Sequence, residues 1–160
     1  LYLADMTSFT LSTRFDAIIC AYQGVNHLLS FPAWESFFGR AYRHLNPGGM
    51  LVFDIATVSY LMTMASIPKG VEQFGDNYLQ ITVSTTDGAR FRWHIEVFEL
   101  QRDGRYRLLT QTVEMRSFPV DQVTEALCRR FTDIEVIGGD GRSADRESEG
   151  RIWLACARPS

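Results

Sequence analysis

Phe15-Asp16-Ala17-Ile18-Ile19-Cys20-Ala21-Tyr22 and, further on, Leu45-Asn46-Pro47-Gly48-Gly49-Met50-Leu51-Val52-Phe53-Asp54 are the stretches whose reading decides the fold. The first is an apolar run with aromatic and β-branched residues, bounded by Arg14 and Gln23. It predicts a short strand buried on both faces. Between the two stretches, Pro32 stands where the first turn of a helix tolerates it. Trp34, Phe37, Phe38, Ala41 and Leu45 then recur at i, i+3, i+4, i+7 and i+11, the apolar face of an amphipathic helix. Asn46-Pro47-Gly48-Gly49 ends that helix in a turn, because proline cannot continue it and glycine accepts a left-handed backbone. Residues 50–55 form the next buried strand. Strand, helix, turn and strand make a βαβ unit, hence a parallel pair with a right-handed crossover.

Outward from this unit the character changes. Residues 57–78 are mixed, with a Pro68-Lys69-Gly70 break and Gly75-Asp76-Asn77, and predict a mobile segment or a short helix over a cleft. Residues 79–86 alternate, Asp87-Gly88 signals a turn, and Phe91, Trp93, Ile95 and Val97 alternate beyond it. Asp103-Gly104 supplies a second turn before residues 106–116. This predicts a three-stranded antiparallel meander over 79–116, with one apolar face and one face carrying Arg92, His94 and Glu96. A helix over 119–130, a strand over 134–137, a polar glycine-bearing loop over 138–150 and a last strand over 151–157 complete the chain.

The bulk numbers narrow the function classes. A chain of 160 residues fits one domain, and 46% hydrophobic with 22% charged residues is ordinary for a globular protein. Sixteen basic against nineteen acidic residues give a net charge of −3 with no basic stripe, which argues against a nucleic-acid partner. The longest uncharged stretch is broken by Gln23, Asn26, His27 and Pro32, so it is a poor membrane span. No basic leader with a small-residue cleavage site opens the chain, and a cytoplasmic location is expected. Cys20, Cys128 and Cys156 lie far apart with no C-x-x-C pair, and they are expected to be buried free thiols with no metal site.

With Ala4-Asp5-Met6 ahead of the first strand, these motifs together resemble the second half of a class I S-adenosylmethionine-dependent methyltransferase. The resemblance runs over roughly the first 55 and the last 40 residues, judged by the pattern of elements. It implies an α/β fold: a Rossmann-like sheet, parallel but closed by a reversed C-terminal hairpin, with the antiparallel meander inserted. The glycine-rich cofactor loop and the acidic residue for the ribose hydroxyls, which the family carries upstream, are missing from these residues. The sheet is therefore expected to be incomplete and the domain, residues 1–160, truncated.

The resemblance also assigns residues, each with a plainer reading beside it. Asp5 and Met6 fall where the family holds adenine, a carboxylate accepting from the amino group while the next backbone N–H donates to a ring nitrogen. Alternatively Asp5 caps a turn. Ala21, Tyr22 and Gln23, with Gly24, lie past the carboxyl end of the first strand, where open α/β sheets bind ligands, and they either line the cofactor and methyl-transfer site or only connect strand to helix. Asn26-His27-Leu28 is similar to a stretch found in enzymes that N-methylate amino sugars. It makes His27 the candidate to orient or deprotonate an acceptor, against a histidine bonded only to backbone. His44 is expected to meet the helix dipole as a cation, and His94 to face substrate or solvent. Asp54 either contacts substrate or anchors a loop, and Arg151 is expected to pair structurally.

The expected activity is methyl transfer from S-adenosyl-L-methionine to the N or O of a small molecule. A non-catalytic methyltransferase-like binding or assembly module is the alternative, and a nicotinamide-dependent dehydrogenase half a weaker one. An absent aromatic Asp/Asn-Pro-Pro-Tyr motif disfavours nucleic-acid bases as acceptors. An open sheet edge and an uncovered apolar face lead to two further expectations: weak cofactor binding by these residues alone, and self-association as a homo-oligomer.

Overall fold

In the computed structural model, which describes residues 1–139 and 150–160, the chain opens with β1 (Phe15–Cys20), a short 3-10 turn (Gly24–His27), α1 (Phe31–His44) and β2 (Leu45–Ala56). It continues through α2 (Val58–Ser66) into β3 (Gly70–Phe74), β4 (Asn77–Thr85), β5 (Arg90–Leu100) and β6 (Tyr106–Arg116). The last elements are α3 (Val120–Cys128), β7 (Thr132–Gly138) and β8 (Arg151–Ala157). Two four-stranded sheets result, ordered β1-β2-β8-β7 and β3-β4-β5-β6.

The first sheet has the expected topology. β1 and β2 are parallel, while β8 runs antiparallel between β2 and β7. Helix α1 starts at Ser30, whose hydroxyl accepts from the Ala33 N–H, and it buries Trp34, Phe37, Phe38 and Ala41. These meet Leu51, Phe53 and Ile55 of β2, with α3 adding Val123, Ala126 and Leu127 to the same core. Trp34 also donates its indole N–H to the Leu28 carbonyl at 2.8 Å. Fully burying each such large side chain stabilises by about 1.5–3 kcal/mol.

Several expectations need correction. β1 is not buried on both faces. It is an edge strand whose Phe15 and Ile19 are exposed, because among the described residues both helices of this sheet lie on the other face. Residues 46–49 do not separate helix from strand. They are a bulge inside β2, where pairing slips from Phe15–Leu45 to Ala17–Met50. A Cβ on Gly49 would come within 3.0–3.1 Å of the carbonyls of Asn46, Asp16 and Phe15, so any larger residue would have to push three backbone carbonyls apart by a few tenths of an ångström. Within 57–78 the short helix expected as one alternative does form, as α2, but a fourth strand, β3, follows it, so the antiparallel sheet spans 70–116 rather than 79–116. Every residue of β3 is exposed, and a strand without a buried face leaves no alternation to read. Cys128 is exposed rather than buried. His44 is not a cation at the helix end: its Nε2 accepts from the Leu11 N–H at 2.9 Å while its Nδ1–H donates to the Arg40 carbonyl at 2.8 Å, the pattern of a neutral ring. The predicted loop 138–150 lies, apart from its ends, outside the described residues.

Candidate functional site

The site is built at the carboxyl end of β1 and β2. Just past β1, Tyr22 and Gln23 both adopt left-handed backbone, φ +60° and +59°. Two successive non-glycine residues there cost about 1–3 kcal/mol each unless the surroundings enforce them. Asp54, at the end of β2 and wholly buried, supplies that enforcement. Both its carboxylate oxygens accept from the Gln23 N–H, at 3.0 Å each. The charge is matched by Arg151 at the start of β8, whose Nε–H donates to Asp54 Oδ2 at 2.5 Å. The guanidinium lies 5.6 Å from the Tyr22 ring and 5.3 Å from the Trp153 ring, both within cation–π range. Of the two readings of Asp54, it is the loop anchor that the geometry bears out.

Gly24 follows because a Cβ there would sit 2.8 Å from Cys20 Sγ. The glycine thus allows close packing on Cys20. Burial pushes the Cys20 thiol up, and the nearby Asp54 charge adds to it. Asn26, fully buried, ties three elements together. Its side-chain amide donates to the carbonyls of Ala56 at 3.1 Å and Arg116 at 3.0 Å, and its oxygen accepts from the Ala56 N–H at 2.9 Å. The turn thereby closes the outer edge of β6 onto the end of β2.

His27, exposed on the same turn, contacts β6 through one long bond, Nδ1 to the Glu114 carbonyl at 3.4 Å. With Nδ1–H as donor there, Nε2 carries the lone pair. On the polar face of the second sheet, Gln80 donates to Glu96 at 2.9 Å, and His94 lies 3.2 Å from Thr112 Oγ1 and 3.8 Å from Glu96.

Asp5 makes the local turn that its plainer reading expects. Its Oδ1 accepts from the Thr7 N–H at 2.7 Å and the Thr7 hydroxyl at 2.6 Å, and these bonds hold the carboxyl below its ordinary range. Met6 reaches the strand end, its methyl lying 4.0 Å from the position of a Gly24 Cβ. The structure thus brings Met6 beside the Ala21–Gly24 loop. The Asp54–Arg151–Tyr22 arrangement and the triple role of Asn26 were missed in the sequence. The available signal was an aspartate closing an otherwise apolar buried strand, since such a charge needs a partner.

No protein-family model matches the chain, and neither does any curated protein. Solved structures do. A S-adenosylmethionine-dependent methyltransferase from Clostridium acetobutylicum superposes with a TM-score of 0.88 at 16% identity, over 99% of this chain and 64% of that one. The CcbJ methyltransferase from Streptomyces caelestis gives 0.78 at 15% identity, over 99% and 63%. The sugar N-methyltransferase KedS8 from a Streptoalloteichus species gives 0.77 at 20% identity, over 98% and 61%. The fold is therefore that of the class I S-adenosylmethionine-dependent methyltransferases, and the chain spans under two thirds of the length of these structures.

Proposed function

We propose that the chain is the acceptor-side part of an S-adenosylmethionine-dependent methyltransferase acting on the nitrogen or oxygen of a small molecule. The observation that carries this reading is the near-complete superposition of the chain on such enzymes, with an enforced loop, Ala21 to Gln23, at the carboxyl edge of its parallel strands. That several of the similar structures are sugar or glycopeptide N-methyltransferases favours an amine acceptor.

The residues present fit the cofactor in part. Asp5 Oδ2 has no partner among the described residues and would accept from the adenine amino group, with the Met6 N–H donating to the ring. Ala21, Tyr22 and Gln23 would border the methionine end. When bound, S-adenosylmethionine supplies an already activated methyl group. The chain's own work is to align the acceptor, exclude water and take a proton. Alignment alone supplies several kcal/mol, and His27 Nε2 is the base on this side of the cleft. The cytoplasm is the compartment we propose, on the three free thiols. Among the described residues no helix is long and apolar enough to cross a membrane.

The test uses S-adenosylhomocysteine and the backbone amides of the labelled 160-residue chain, because amide shifts register weak binding. Shifts concentrated at Met6 and Ala21–Gln23 are expected. Saturating ligand that moves none of them would overturn the reading. A binding or assembly module is the second reading, favoured by the exposed apolar residues of β1; it predicts no ligand shifts.

A further inference from the structure

We propose that Asp54 and Arg151 are positioning residues that lock Tyr22 at the ligand edge, an inference that rests on the methyl-transfer reading for its purpose though not for its geometry. A residue that merely ended β2 would not need to be an aspartate, and a buried carboxylate is costly without compensation. Here the compensation is specific. One side of the carboxylate is spent on a single backbone N–H, that of Gln23, taken by both oxygens. The other is spent on Arg151 Nε. The Gln23 N–H is thereby satisfied only while Tyr22 and Gln23 stay left-handed.

Arg151 acts on the same residue twice. Through Asp54 it fixes the Tyr22 backbone, and through its guanidinium face it holds the ring, with Trp153 on a further ring contact. Tyr22 is 85% exposed, so apolar burial does not place its ring. What places it is this chain of bonds from β8 through β2 to the loop after β1. Lysine cannot substitute for Arg151, since an ammonium lacks both the planar fork and the stacking face. The device joins the three adjacent strands β1, β2 and β8 at the carboxyl end of the parallel pair. It holds an aromatic ring and the Ala21 carbonyl in a defined place before any ligand arrives.

Amide hydrogen exchange on the 160-residue chain tests this. In the parent the Gln23 amide is expected to exchange slowly for a loop position. Asp54→Ala should speed it by roughly tenfold or more, the effect of losing one charge-assisted hydrogen bond, with Leu51 and Phe53 in β2 little changed. Arg151→Lys should speed it less but in the same direction, and it carries the test if Asp54→Ala does not fold. Unchanged exchange at Gln23 in the folded variant would overturn the proposal. A second measurement separates positioning from packing. Glycine holds positive φ without help, so adding Gln23→Gly to Asp54→Ala should recover much of the lost melting temperature. No recovery would mean that Asp54 serves the core, and the proposal would fall. Absent shifts with S-adenosylhomocysteine would sink the functional reading alone, whereas normal ligand shifts with unaltered Gln23 exchange would sink this proposal alone.

Discussion

At His27 the nitrogen facing Glu114 decides what the other can do. Because Nδ1–H points to a backbone carbonyl, Nε2 is free to accept a proton, and the exposed ring adds little to the core. His27→Asn is therefore expected to leave stability within about 0.5 kcal/mol, the usual range for a surface change. In an assay of the methyl transfer proposed above, it should lower turnover on the order of 10²-fold if proton transfer limits the rate. Melting temperature and turnover measured together decide it: a stability loss with normal turnover ends the catalytic proposal. Its neighbour Asn26 should behave in the opposite way. Asn26→Ala leaves the Ala56 and Arg116 carbonyls and the Ala56 N–H without their partner. Each unsatisfied buried group costs about 1–3 kcal/mol, so a total of about 3 kcal/mol or more is expected. For a chain of this size that lowers Tm by roughly 6–12 °C, and calorimetry showing a loss below a couple of degrees would mean that the three-way tie contributes little.

Among the elements, β8 lends itself to a chemical test, since it carries Cys156 into the core between β2 and β7. Burial pushes that thiol from an ordinary 9.0 up to about 12. The folded chain holds the proton more tightly than the unfolded one. The contribution is thus intact below about pH 9 and is lost as pH rises from 9 toward 12. Melting temperature should fall over that window, and less steeply in Cys156→Ala; parallel curves would remove Cys156 from the account. Thiol reagents at neutral pH should label exposed Cys128 first, the half-buried and raised Cys20 more slowly, and Cys156 only on unfolding. The sequence disclosed the elements whose periodicity comes from burial: α1, the alternating strands β4 and β5, and β8 with bounds matching the expectation. It did not disclose β3, which has no buried face, or the bulge in β2, where Gly49 meets the backbone of Asp16 and Phe15, 33 and 34 residues away along the chain. In the site, position was legible and partnership was not. Asp54 and Arg151 are 97 residues apart, and nothing local in either neighbourhood names the other.

At the scale of the whole molecule, among the described residues the helices packed on the first sheet lie on one side of it. Pairing places Ala17 beside Met50 and Ile19 beside Val52, and Val52 in turn beside Ala155, so these residues form one row of apolar side chains. Alternation turns this row away from α1 and α3, and among the described residues no helix lies over it. Ile19 is 69% exposed and Met50 45%, and on one side β1 offers an unpaired backbone edge. Contiguous apolar surface next to an open edge favours association of copies. The net charge of −3 is too small to oppose it strongly. The 160-residue chain is accordingly expected to self-associate reversibly, with a weight-average mass that rises with concentration in sedimentation. Ile19→Lys, which puts a charge in the middle of the row and at the edge strand, should shift the distribution toward monomer without lowering Tm, because the side chain it replaces contributes little to the core. A parent that sediments as a monomer across the accessible concentrations would show that the bare face does not drive assembly. A parent that associates equally with and without the lysine would place the contact elsewhere, and the exposed β3 and α2 region, with Met62, Ile67 and Val71 at its surface, would be the next face to charge.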